Sequence, residues 1–140
     1  MQRYMLDTNI VSHLLRQQPQ VVAHVMAVPM QALCISAVTE SELLFGLAKR
    51  PEAHALHTAV RELLRRVESI AWDSTAAVHY GPTRAQLQKR GKTLDSLDLL
   101  IASQALGLGA TLVTNDQAFQ HVVGLHVEDW TLPDTAPVRH

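Results

Sequence analysis

At 140 residues, 47% of them hydrophobic, the chain is long enough to bury one substantial core without disulfides or a structural metal. Twelve Lys and Arg against 13 Asp and Glu leave a formal net charge of -1, which excludes a whole-molecule field that draws in nucleic acid; any polyanion site has to be local. The single cysteine, Cys34, lies in an apolar stretch and fits a reducing cytoplasm, no signal peptide is expected ahead of Asp7, and no run approaches the roughly 20 apolar residues of a membrane helix.

Tyr4-Met5-Leu6 reads as a short buried strand that ends on Asp7 and leads into a helix over 9–16. Pro19 opens a second helix, 20–27, which Pro29 closes. Leu33-Cys34-Ile35-Ser36 is a second strand, followed by a helix over 39–50 with Pro51 just past its end. The helix expected over 52–68 has the clearest period: Leu56, Val60, Leu63, Leu64 and Val67 share a face, and Arg61, Arg65 and Arg66 lie off it on a solvated side. Ile70-Ala71-Trp72 is expected as a third strand. Ser74 or Thr75 then caps a helix that runs to about Arg90 and ends at Gly91. A further helix covers 96–106, broken by Gly107 and Gly109, before a fourth strand at Thr111-Leu112-Val113. Leu125-His126-Val127 reads as a fifth, edge strand. Residues 1–131 then make one domain, and 132–140, with two prolines, a loose tail.

Strands separated by helices of this length imply a parallel sheet of four to five strands with helices on both faces. Right-handed crossovers bring every strand's carboxyl end to one edge, so the residues that matter lie just after each strand. Four acids arrive there: Asp7 after the first strand, Glu42 early in the helix after the second, Asp98 in the first turn of the helix before the fourth, and Asp116 just after the fourth. Each also has a plain structural use. Asp7 can be a turn former. Thr39 and Glu42 match a capping box. Asp95 can cap the helix in which Asp98 is favoured by the dipole, and Asp116 can cap a short helix from Gln117.

Asp98 is the hardest to dismiss, standing in Leu97-Asp98-Leu99-Leu100-Ile101-Ala102 with apolar residues on both sides. An unpaired carboxylate buried there needs a partner or a cation, and four converging acids repel one another unless positive charge sits between them. An all-oxygen ligand set suits Mg²⁺ or Mn²⁺ rather than Zn²⁺. Such ions activate water and stabilise the leaving oxygen in phosphodiester displacement, with Glu42 or Asp116 placed to orient the water and Asn9 and Thr114 placed to support the acids. Lys89, Arg90 and Lys92 form the one dense basic run, either a dipole-favoured helix end or an RNA phosphate contact. His54-x-x-His57 has helical spacing but belongs to the outer side of its helix. Neither a Gly-x-Ser-x-Gly elbow nor a phosphate-binding glycine loop occurs.

Met5-Leu6-Asp7-Thr8-Asn9, Ile35-Ser36-x-Val38-Thr39-x-x-Glu42-Leu43-x-x-Gly46, Asp98-x-x-Ile101-Ala102, Val113-Thr114-Asn115-Asp116-x-x-Phe119 and Gly124-Leu125-x-Val127-Glu128-Asp129-Trp130 together resemble the PIN-domain ribonucleases, specifically the VapC-type toxins of bacterial toxin–antitoxin pairs. The resemblance runs from Met5 to Trp130. It implies a three-layer α/β/α domain, a Mg²⁺- or Mn²⁺-dependent endoribonuclease, a homodimer, and neutralisation by a cognate VapB-type antitoxin. It also carries the metal-binding and catalytic roles onto Asp7, Glu42, Asp98 and Asp116, with Asn9 and Thr114 in support. Asp95 and the tail after Trp130 fall outside it. The alternative is a non-catalytic module of the same fold that binds RNA or a protein partner; a receiver-like phosphoacceptor lacks the lysine it needs, none following Lys92.

Overall fold

The structure, a computed structural model, describes residues 1–133; of the expected loose tail, 134–140 lie outside the described residues. Five strands, β1 (Tyr4–Leu6), β2 (Leu33–Ser36), β3 (Glu68–Ile70), β4 (Thr111–Val113) and β5 (Val127–Glu128), pair in the order β3-β2-β1-β4-β5, and every pairing is parallel. Six helices accompany them: α1 (Thr8–Leu15), α2 (Pro19–Met26), α3 (Ala37–Ala48), α4 (His54–Arg66), α5 (Ser74–Lys89) and α6 (Ser96–Leu108). This is the expected three-layer α/β/α sandwich.

The inner strands are short and apolar because both faces are covered. Leu6, Ile35 and Val113 join one core with α1 to α4 and Trp130, whereas Met5, Cys34 and Leu112 join the other with α5, α6 and Phe119. Leu6, Ile35, Met5 and Leu112 are fully buried, each worth about 1.5–3 kcal/mol relative to exposure. That burial and the charge at Asp7 pin the register, since a one-residue slip of β1 would draw the carboxylate into the sheet. Burial pushes the Cys34 thiol up to about 11, so it is an inert core group.

Strand order decides where the site lies. From β1 the chain moves through β2 to β3, and α5 and α6 then carry it back to β4 on β1's other side. The topological switch point therefore falls between β1 and β4, where Asp7 N–H extends the ladder to the Val113 carbonyl at 3.0 Å.

Several expected boundaries differ. β3 is Glu68–Ile70 rather than Ile70–Trp72, and α4 stops at Arg66. As an edge strand, β3 tolerates exposed Glu68, which pairs with Arg3 at 2.9 Å, while Trp72 leaves the sheet to donate to the Leu100 carbonyl at 2.9 Å. Asp73, not Ser74 or Thr75, caps α5 through the Ala76 N–H at 3.2 Å. Gly107 does not break α6: a Cβ there would stand 3.1 Å from the Thr75 carbonyl oxygen, so glycine permits the close approach of α5, and the helix ends at Gly109 with φ +64°. β5 begins at Val127 rather than Leu125. The remaining helix boundaries shift by one or two residues, and among these only the earlier start of α3 bears on the site.

Candidate active site

Asp7 is the N-cap of α1. Its Oδ1 accepts the Ile10 N–H at 2.9 Å, and the residue is 4% exposed. The turn-forming use of Asp7 is therefore real, but it accounts for only part of a buried charged group. Burial raises its carboxyl above the ordinary 3.8; hydrogen bonds from the Thr114 hydroxyl and the Ile10 N–H oppose this, and the charges of Asp116 and Glu42 add to it.

α3 starts at Ala37, capped by the Ser36 hydroxyl, which accepts the Val38 N–H at 3.0 Å. Thr39 is therefore inside the helix and buried, and the expected Thr39–Glu42 capping box does not form. Glu42 is instead free to turn to α1, where the Thr8 hydroxyl donates to its Oε1 at 2.6 Å. Sequence reasoning passes over Thr8. Its place beside Asp7 is a signal, but the partner that gives it a role comes from another helix.

Asp98 lies in the first turn of α6, half-buried. Asp95 does cap this helix, accepting the Asp98 N–H at 2.9 Å. The Asp98 carboxyl is pushed up to about 7, first by burial, then by the charge of and hydrogen bonding with Asp95, then by Asp116 and Asp7. Asp116 follows β4 and caps a 3₁₀ turn, Gln117–His121, through the Ala118 N–H at 2.9 Å; its own N–H donates to the Thr114 hydroxyl at 3.0 Å. Thr114 thus links the turn of Asp116 to the carboxylate of Asp7. Asn9 is exposed, and no hydrogen bond joins it to the acids among the described residues.

Asp7 thus feels the charges of Asp116 and Glu42, and Asp98 those of Asp95, Asp116 and Asp7, at the carboxyl edge of the sheet. The ion pairs of the described residues lie elsewhere, Arg3 with Glu68 and Arg65 and Arg66 with Glu62. The donor set, carboxylates alone around a buried one, fits a hard divalent cation. As they stand, no three His, Cys, Asp or Glu side chains among the described residues are gathered closely enough to hold one ion. The His54–His57 pair is apart from the four acids, with His57 Nε2 2.9 Å from the Arg50 carbonyl. The basic run divides: Lys89 is exposed, Arg90 donates to the His121 carbonyl at 2.8 Å, and Lys92 lines a cleft beside α6.

The three layers and this strand order accord with a PIN domain, and the PIN domain family model matches residues 4–125. The chain belongs to that family, among its VapC-type toxin ribonucleases. It is 33% identical to the tRNA(fMet)-specific endonuclease VapC of Shigella flexneri, over 94% of this chain and 100% of that one. It is 34% identical to the ribonuclease VapC1 of Haemophilus influenzae strain R2866, over 91% and 98%. Among solved structures it resembles the DNA-bound VapBC of Salmonella typhimurium, at a TM-score of 0.85 and 30% identity over 93% and 99% of the two chains. VapBC2 of Rickettsia felis, bound to a fragment of its promoter DNA, matches at 0.82 and 30%, over 91% and 98%. No helix among the described residues is long and apolar enough to cross a membrane.

Proposed function

We propose that the chain is the toxin of a toxin–antitoxin pair, a Mg²⁺- or Mn²⁺-dependent endoribonuclease acting through Asp7, Glu42, Asp98 and Asp116. The observation that carries this reading is the buried carboxylate of Asp7, crowded by other acids with no Lys or Arg among the described residues paired to any of the four. Folding that charge into place costs several kcal/mol unless a cation offsets it, on the order expected for an uncompensated buried ion.

Asp7 and Asp98 would hold the cation, with Asp116 beside them. When bound it supplies Lewis acidity and charge neutralisation for in-line displacement at a phosphodiester. The chain's own groups do the positioning. The Ile10 amide and the Thr114 hydroxyl fix Asp7, and the Ala118 amide fixes Asp116. The Thr8 hydroxyl holds one oxygen of Glu42, leaving the other to orient the attacking water and take its proton. At β4's end Thr114 accepts the Asp116 N–H and also favours the charged form of Asp7, so one residue bears on both aspartates.

Relatives named as tRNA(fMet)-specific endonucleases make an initiator tRNA the first substrate to test. The VapBC complexes among the structural relatives support a VapB-type antitoxin as partner, and the family resemblance supports a homodimer. That the acids are not already closed to coordinating distance favours the alternative, a non-catalytic module. The deciding experiment is cleavage of total RNA by the purified protein with Mg²⁺ or Mn²⁺, against chelator and an Asp7→Asn control. Discrete fragments that need both the metal and Asp7 support the nuclease; neither cutting nor calorimetric metal binding leaves the binding module.

A further inference from the structure

The cleft beside α6 takes no part in the chemistry above. Tyr80, Arg84 and Gln88 line it from one face of α5 at four-residue spacing, Lys92 and Thr93 line it from the loop after α5, and Ser96 closes it at the first turn of α6. It encloses about 170 Å³. No acid lines it, and neither Arg84 nor Lys92 enters an ion pair among the described residues. Arg84 Nη1 donates to the Tyr80 hydroxyl oxygen at 3.2 Å, a bond between two side chains that both line the cleft. Arg90 is occupied by the His121 carbonyl, and neither it nor Lys89 reaches this surface. Ser96 and Asp98 belong to the same helical turn, so the basic cleft and the Asp98 carboxyl stand at one helix start.

We propose that this cleft is a backbone subsite for single-stranded RNA, with Arg84 and Lys92 on phosphates away from the scissile one and the Tyr80 ring against a neighbouring sugar or base. It deepens, and rests on, the nuclease reading. The acids repel a polyanion, and two unneutralised cations a short way along the strand's path offset that repulsion without entering the reaction. Because such cations engage phosphates, they hold any sequence and set register rather than specificity.

The test is binding of the full-length protein to labelled oligo-U, oligo-A and oligo-C of equal length, by fluorescence anisotropy, in chelator so that nothing is cut, across a range of KCl. The double variant Arg84→Gln/Lys92→Gln should bind all three more weakly by a similar factor. Its slope of log affinity against log salt should be shallower by about 1.4, at about 0.7 for each single-strand phosphate that the variant leaves unneutralised. Arg61→Gln/Arg65→Gln, the same charge change on α4, should leave the slope as it is. An unchanged slope in the first variant, or an equal weakening in the second, overturns the subsite. Parallel cleavage assays of the wild type separate the two ideas: an unchanged slope with cleavage intact removes the subsite alone, and a shallower slope without any cleavage removes the nuclease reading and leaves the cleft as an RNA-binding surface that serves no cut.

Discussion

Replacing Asp98 with Asn should stabilise the cation-free protein while abolishing its activity. The Asp98 carboxyl is held at about 7 against an ordinary 3.8, by burial first and then by Asp95, Asp116 and Asp7. A raised value means that the folded state keeps a proton the unfolded chain releases. The stability this contributes is complete below pH 3.8, declines from there to about 7, and is gone above it. For a fully buried group the difference would reach about 4 kcal/mol, at about 1.4 kcal/mol for each pH unit. Asp98 is only half-buried, and solvent screening reduces this to about 1–2 kcal/mol. Asn keeps the shape and removes the charge, so the melting temperature at about pH 8 should rise by about 3–8 °C for a chain of this length. The assay is a pair of chelator-treated melting series, wild type and Asp98→Asn, from about pH 4 to about pH 8, the span over which the proton is released. The gap between the two should widen with pH. Adding Mg²⁺ at about 100 times its dissociation constant should then favour the wild type by up to about 2.7 kcal/mol, closing or reversing the order. A variant that melts at or below the wild type at the alkaline end without cation would refute the reasoning, because the carboxylate would then be compensated inside the chain itself.

Other expectations concern groups at a distance from the reacting atoms or in the core. Thr8→Val removes the 2.6 Å donor to Glu42 at nearly constant volume; it should lower kcat for RNA cleavage about tenfold with little effect on KM or melting, in keeping with about 1.5 kcal/mol for a hydrogen bond to a charged group, and Thr8→Ser should restore it. A KM effect alone would place Thr8 in binding instead. Trp130 is 2% exposed, with ring centroids 5.2 Å from Tyr4 and 5.3 Å from a stacked His24. Trp130→Ala should cost about 3–5 kcal/mol in urea unfolding, and a change below about 1 kcal/mol would mean the residues after β5 pack independently of the first core.

The sequence by itself determined the class of fold and the candidates for its site. Short apolar runs such as Met5-Leu6 and Leu112-Val113, separated by helices, admit few arrangements other than a parallel sheet covered on both faces, and the acids that follow those runs then face one edge. Burial and chain direction are local in origin, so they are legible residue by residue. Exposed or polar elements were harder: β3 lies on Glu68 and Ser69, residues with no apolar signature, because an edge strand needs only ladder partners in β2. Nor does local pattern say which of two caps is used. Thr39 and Glu42 spell a capping box, but Ser36 took the cap, Thr39 was buried, and Glu42 turned to Thr8, 34 residues away. That Lys92 lines one cleft with Arg84 and not with its neighbour Arg90 has the same origin, since helical spacing sets which side chains share a face but only the packing of α5 against α6 decides which face is left open. What tertiary structure alone decided was the electrostatic state of the acids. The value near 7 for Asp98 comes first from burial, then from Asp95 in its own helix cap, and then from Asp116 and Asp7, which the strand order brings to the switch point.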